Sequence, residues 1–257
     1  MPAPSPMGCP MDKAEFGASA LAPDPSPDGG ASLLSLLQFS DSFFPGGASA
    51  FSWGLESMQV DGLVAGAAEV HEMLCALLEG RWAGYDRPLM LAAHAAAADL
   101  SSRGLEALLE LDALAEATTL AAGMRAASRR LGFTQLRVHA ELGLEPAARC
   151  LEAVRDGRTP GHLPVVQGLV WHALGIPARQ AEAVCAYGLC AGVSGAAIRL
   201  GKIGHLDGQR ILTSLRGRIE AVLAMPPPRL DELWNGAPAL ELAAMRHEPR
   251  SARLFAT

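Results

Sequence analysis

His71 and Cys75 stand one helical turn apart with Glu72 beside the histidine, which echoes the zinc-binding HExxH helix with a thiol in the last place. The other histidines, His94, His139, His162, His172, His205 and His247, are too scattered to complete an obvious metal centre. The ordinary alternative is a histidine beside a small buried thiol on a helix flank, so no metal ligand is assigned. The run GAAIRLGK, Gly195 to Lys202, resembles a phosphate loop only superficially. It is one residue too long, and Ile203 stands where Ser or Thr would reach magnesium. GASAF fails as a nucleophile elbow because Phe51 replaces the second glycine of GxSxG. With no dinucleotide fingerprint and no paired-carboxylate motif, the sequence assigns no catalytic residue and no cofactor. An enzyme with dispersed active-site groups is the minority reading.

The elements that would position such residues are helical. Hydrophobic residues make up 50% of the 257 and aromatics only 5%, with alanine and leucine dominant, which favours helices packed through small side chains. The formal charge is −6 and the 21 Lys and Arg are dispersed, so there is no electrostatic footprint for nucleic acid. Cys9, Cys75, Cys150, Cys185 and Cys190 show no CxxC spacing and read as buried thiols of a reducing cytoplasm. No basic segment followed by an apolar run marks a signal peptide. The longest uncharged window, Ala183 to Ile198, is shorter than the ~20 apolar residues that span a bilayer. It reads as a buried helix, and no membrane partner is expected.

Residues 1–31 hold seven of the 18 prolines and read as a disordered arm. Val70, Met73, Leu74, Leu77 and Leu78 recur at helical spacing, with Trp82 on the same face. Pro88 opens the next helix, and another runs from about Gly104 to Leu114. The pattern from Thr118 to Leu131 is expected to stop at Gly132 as a left-handed terminator. Further helices begin at Glu145 and near Gly161, the latter closed by Gly175 ahead of Pro177. The helix after Pro177 reads as the core of the molecule. Gly188, Gly192 and Ala196 make a flat stripe along it, on which Ile211 to Leu223 is expected to pack. Leu230 to Arg246 shows one last helical pattern. The expectation is an all-α fold: a single compact bundle of about eight to ten helices over 32–246, with a short docking tail at 247–257.

Three segments stand apart from helix filler. Phe43 and Phe44 precede Pro45, Gly46 and Gly47 in an apolar elbow, where a solvent turn would carry Asn, Asp or Ser. Such an elbow is either buried in its own fold or covered by a partner; its continuation puts Trp53 and Glu56 at the start of a helix. In the second segment a helix breaks at Gly201 and Gly204, and Asp207 caps a new one carrying Gln209 and Arg210. The third, MRHEPRSARLFAT, sets Leu254 and Phe255 beside Arg250 and Arg253, the composition of a docking peptide, with an ordinary frayed terminus as the alternative.

Together these segments resemble the UreF family of urease accessory proteins, whose patterns look like LLQLxDSxxPxGxFxxSxGLE, VRLxxLGQxDGQRxL and MRHExxYSRLFxS. The chain offers LLQFSDSFFPGGASAFSWGLE, IRLGKIGHLDGQRIL and MRHEPRSARLFAT in the same order, over roughly Leu33 to Thr257. It departs at Ser49, Phe51, His205, Ala252 and Ala256. The resemblance implies an all-helical, non-catalytic, cytoplasmic homodimer that bridges UreD (also called UreH) and the GTPase UreG during nickel insertion into the urease apoprotein. It further implies partner contacts by Arg253, Leu254, Phe255, Lys202, Asp207, Gln209, Arg210, Phe44, Trp53 and Glu56, and a dimer face at Tyr187, Gly188 and Gly192. The alternative from another class is a helical ligand-binding regulator, which would need a closed apolar pocket.

Overall fold

The structure, a computed structural model, describes residues 30–41, 43–46, 51–99 and 102–247. The expected arm therefore lies outside the described residues, apart from its last two positions, which begin a helix. Helices α1 (Gly30–Ser40), α2 (Leu55–Val60) and α3 (Ala67–Ala76) come first. A π-helical stretch, Leu77–Asp86, fuses α3 to α4 (Arg87–Ala96) in one continuous rod. Then follow α5 (Ser102–Thr118), α6 (Ala122–Glu141), α7 (Glu145–Arg155), α8 (Leu163–Ala173), α9 (Ala178–Arg199), α10 (His205–Ala224) and α11 (Pro238–His247). Among the described residues there is no strand, and the all-α expectation holds.

The centre is α8, not α9. LPVVQGLVWHA carries no charged residue and is apolar on nearly every side, so it is covered all round, by α4, α5, α6, α7 and α9. At Gly168 a Cβ would sit 2.3 Å from the carbonyl oxygen of Met90, so only glycine lets α8 approach α4 this closely. The helix α9 lies on a flank with α10 beside it, as the stripe suggested. It is long and apolar enough to cross a membrane, yet half of its apolar window is inside the bundle.

Gly132 is a correction. The sequence reads it as a terminator, but α6 runs straight through it to Glu141. A Cβ there would collide with the carbonyl oxygen of Gly161, so the glycine serves a close approach between α6 and the loop before α8. That loop is held from both sides. Asp112 of α5, buried, accepts the backbone N–H groups of Gly161 (2.5 Å) and His162 (2.6 Å) and the Thr159 hydroxyl. Ser128 of α6 accepts from Leu163 N–H at 3.0 Å. Remote side chains thus satisfy the donors that a helix start leaves unpaired.

The segment after the prolines is a second correction. Only Pro238–His247 forms the last α-helix; Leu230–Glu232 is a single 3-10 turn, and the residues between run as a strap across the π-helical stretch. Trp234 N–H donates to the Gly84 carbonyl (3.2 Å) and Gly236 N–H to that of Gly80 (2.7 Å), so these backbone donors turn outward rather than along a helix. Beneath the strap, Arg81 pairs with Asp86 (3.2 Å) and Glu241 (3.6 Å) and lies over the Tyr85 ring.

Another buried arginine joins three helices. Arg87 at the start of α4 donates to Glu182 of α9 at 2.7 Å, and to the carbonyls of Val222 (3.0 Å) and Met225 (3.0 Å) at the end of α10. A guanidinium suits a helix C-terminus, and its fork reaches several acceptors at once. Removing one partner leaves the other charge buried and unpaired. Glu182→Ala is therefore expected to lower unfolding stability by about 3–5 kcal/mol, read as a lower urea midpoint.

Candidate partner-docking surface

The elbow begins where α1 ends. Asp41 makes a local turn: its carboxylate accepts Phe43 N–H (2.7 Å) and its carbonyl accepts Phe44 N–H (3.0 Å). The two phenylalanines then part. Phe43 is 95% exposed, while Phe44 is half-buried, edge-on to Phe39 at 5.3 Å between ring centres. Phe44 also lies 5.1 Å from the ring of His139 on α6, and Phe39 lies 5.0 Å from that ring. The elbow thus splits its two rings, one partly packed in its own fold and the other exposed. His139 hydrogen-bonds the Gln135 carbonyl through Nδ1 (2.8 Å), and its buried Nε2 has no hydrogen-bond partner. Burial lowers its pKa from the usual 6.5, opposed by the Gln135 bond.

Downstream, Phe51 is buried against Ala127 and Leu131 of α6, so at this departure from the family pattern the chain uses the position for internal packing. Trp53 adopts φ +52°, a strained value for a tryptophan, and packs with Phe51 as well as with Ala121, Met124 and Ala244. It fastens the elbow to α6 and α11. Glu56 is 8% exposed and belongs to the interior of α2, not to an open surface. Where α2 ends, Asp61 pairs with Arg246 of the MRHE segment at 3.5 Å. The root of the tail is therefore tied to the end of α2, at the Met124 end of α6 and away from the His139 end on which Phe44 sits. Ser49 and the tail residues Arg253, Leu254 and Phe255 lie outside the described residues.

The α9–α10 junction forms a separate corner. Gly201 takes φ +68° after α9, and α10 starts at His205 with Gly204 as its cap residue. Asp207 sits at the third helical position, not at the cap. Its carboxylate accepts Gly204 N–H (3.3 Å) and pairs with Arg210 (3.1 Å). Gln209, Arg210 and His205 are exposed, and so is Leu206, which the sequence reading passed over; Lys202 is half-buried.

Tyr187 lies about 18 Å along α9 from Arg199, at 1.5 Å per residue, and is 44% exposed. A Cβ on Gly188 would meet nothing within 4 Å, so packing inside the chain does not require this glycine. Gly192 is half-buried and Ala196 fully buried on the same helix. The stripe therefore runs from the interior out to an open face.

A further apolar exposure, on the short apolar helix that leads into the elbow, was not assigned as a surface by the sequence reading. Helix α1 has no charged residue and leaves Leu33, Leu34 and Leu37 more than half exposed, next to Phe43. Val60 of α2, Leu63 just beyond it and Leu242 of the adjoining α11 are likewise more than half exposed. Apolar exposure of this kind marks docking surfaces. The legible signal was GASLLSLLQFS itself, a helix without a polar face. Elsewhere, the Cys75 thiol lies 3.9 Å from both ring nitrogens of His71, and burial raises its pKa. Among the described residues no three His, Cys, Asp or Glu side chains converge as metal ligands. Cys150, Cys185 and Cys190 are buried, and desolvation pushes each thiol up to about 12.

Comparison with known proteins shows the family. The family model described as UreF matches residues 64–216. The urease accessory protein UreF of Trichodesmium erythraeum is 31% identical over 87% of this chain and 96% of its own length. Its namesake in Cereibacter sphaeroides (strain ATCC 17029) is 34% identical over 88% of this chain and 99% of its own, and that of an Arthrobacter species 30% identical over 88% and 97%.

The opposed environments of the two elbow rings predict opposite responses. Phe43→Ser should leave stability within about 0.5 kcal/mol of the parent, whereas Phe44→Ala should cost about 1–3 kcal/mol, both read by thermal or urea unfolding.

Proposed function

The chain belongs to the UreF family of urease accessory proteins, and from that premise we propose that it is a non-catalytic adaptor bridging UreD/UreH and the GTPase UreG for nickel insertion into the urease apoprotein. Nickel is the cargo of that assembly, and this chain contributes surfaces to its delivery. The observation that carries the reading is the apolar set Leu33, Leu34, Leu37 and Phe43, held in the open by a packed core. A cytoplasmic location accords with free thiols.

The work divides among three surfaces in this reading. The tail, with Arg253, Leu254 and Phe255, docks on UreD/UreH from a root that Arg246 ties to Asp61 at the end of α2. Anchoring Phe255 in a pocket contributes ~1.5–3 kcal/mol, which offsets the entropy of ordering the segment. The corner with Lys202, Asp207, Gln209, Arg210 and Leu206 offers charge and one apolar anchor to a further partner. The α9 face around Tyr187, Gly188 and Gly192 pairs two copies as a homodimer, in keeping with the open space beside Gly188. The competing ligand-binding regulator finds little support. The best-formed cavities among the described residues, beside Leu108 and Cys150, hold about 10 Å³ each, far less than a small molecule needs.

Deleting Arg253 to Thr257 should leave the helical circular-dichroism spectrum intact and abolish copurification with UreD; retained copurification would remove the tail from the mechanism. Tyr187→Asp should convert a dimer to a monomer in light scattering, and a variant that stays dimeric would place the pairing face elsewhere.

A further inference from the structure

His139 is buried at 2% exposure, and the docking account leaves it without a task. Its Nδ1 faces the Gln135 carbonyl, which can only accept, so the proton sits on Nδ1 and Nε2 is a bare acceptor. Among the described residues nothing donates to that nitrogen. The ring is held between Phe39 of α1 and Phe44 of the elbow. Charges on the neighbouring elements point elsewhere. Helix α1 has none, and Asp41 of the elbow is exposed. Arg137 pairs with Glu141 on α6 and Arg149 with Glu145 on α7, all four on exposed faces. On α11, Glu241 pairs with Arg81 and Arg246 with Asp61. His172 of α8 lies edge-on to His94. Among the described residues, no carboxylate is placed to stabilise an imidazolium here. The hydroxyls of Ser52 and Ser57 and the side-chain oxygen of Gln59, which follow the elbow in sequence, are also buried without hydrogen-bond partners. The segment is closed at a cost in unmet hydrogen bonds.

We propose that His139 is a proton-operated latch: its neutral ring keeps Phe44 and the end of α1 seated on α6, and protonation at Nε2 drives the ring toward water and unseats Phe44. Opening places Phe44 beside the already exposed Phe43 as a pair of aromatic anchors. That consequence rests on the reading of the elbow as a docking surface; the latch itself does not.

The sign follows from the environment. The closed state holds the imidazole below its ordinary value of 6.5, and the open state returns it to water. The open state therefore binds more protons between those two values, and the closed state weakens as pH falls from 6.5 toward the lowered one. Within that window the open-to-closed ratio rises about tenfold per pH unit.

The test is amide hydrogen exchange on the full chain alone, as protection factors corrected for intrinsic exchange, between pH 7.5 and 5. Protection at Phe44 and Gly46, whose amides bond Asp41 and Phe44 carbonyls, should fall up to about tenfold per pH unit below pH 6.5, while the core amides of α8 stay level. In a His139→Gln variant the elbow should lose that dependence. A flat wild-type profile, an equal fall in the α8 core, or the same fall in the variant would overturn the latch. If the variant does not fold, the wild-type imidazole is titrated by NMR. A midpoint below 6.5 with the Phe44 resonances moving alongside supports the latch, and an imidazole that titrates while Phe44 stays fixed refutes it. Because no partner is present, failure here leaves the docking reading intact, and failure of docking leaves the latch intact.

Discussion

The guanidinium of Arg87 organises the molecule. A charge this deeply buried is tolerable only where every donor finds an acceptor, and the acceptors come from distant parts of the chain: Glu182 near the start of α9, and the carbonyls of Val222, Leu223 and Met225 at the end of α10. Arg179 adds a bond to the Leu223 carbonyl at 2.5 Å. The start of one helix and the end of the next are thereby pinned to the rod through α4. The opposite end of that hairpin, from Leu200 to Arg210, is carried outward with its polar side chains in solvent. The open face at Tyr187 and Gly188 lies on the same pinned hairpin.

Around that lock the molecule separates rigid and yielding parts. Asp112 and Ser128 satisfy the amides leading into α8, and the strap and Arg81 close the π-helical stretch. The elbow is different in kind. It is seated on α6 by the ring contacts of Phe39 and Phe44 with His139, and its hydrogen bonds are local turns around Asp41 and Phe44. A surface that must present apolar side chains to a partner and remain folded without it benefits from that division, since the anchors can reorganise while the bundle does not.

Helix existence was legible because apolar spacing carries it: α7 begins with Glu145 and Pro146, α8 ends just before Gly175, and α9 lies between Pro177 and Gly201. The family was legible in three short motifs. What failed did so for tertiary reasons. Gly132 has the local chemistry of a terminator, and only the Gly161 carbonyl pressed against it shows why a glycine stands mid-helix. Residues Leu233 to Ala237 fell inside the expected last helix despite the turn signal at Asn235 and Gly236, and the carbonyls of Gly80 and Gly84 draw the amides of Trp234 and Gly236 into a strap. Glu56 looks like an exposed helix-start carboxylate and is buried. The opposite fates of Phe43 and Phe44 could not be read from two identical neighbours, because the Asp41 turn and the His139 ring decide them.

The central claim is that this chain serves urease by presenting surfaces to other maturation proteins. The most direct measurement is urease activity, with the nickel content of the purified enzyme, in cells from which this chain alone has been removed. The account predicts inactive urease with little nickel, restored when the intact chain is supplied. Fully active, nickel-loaded urease in its absence would contradict it.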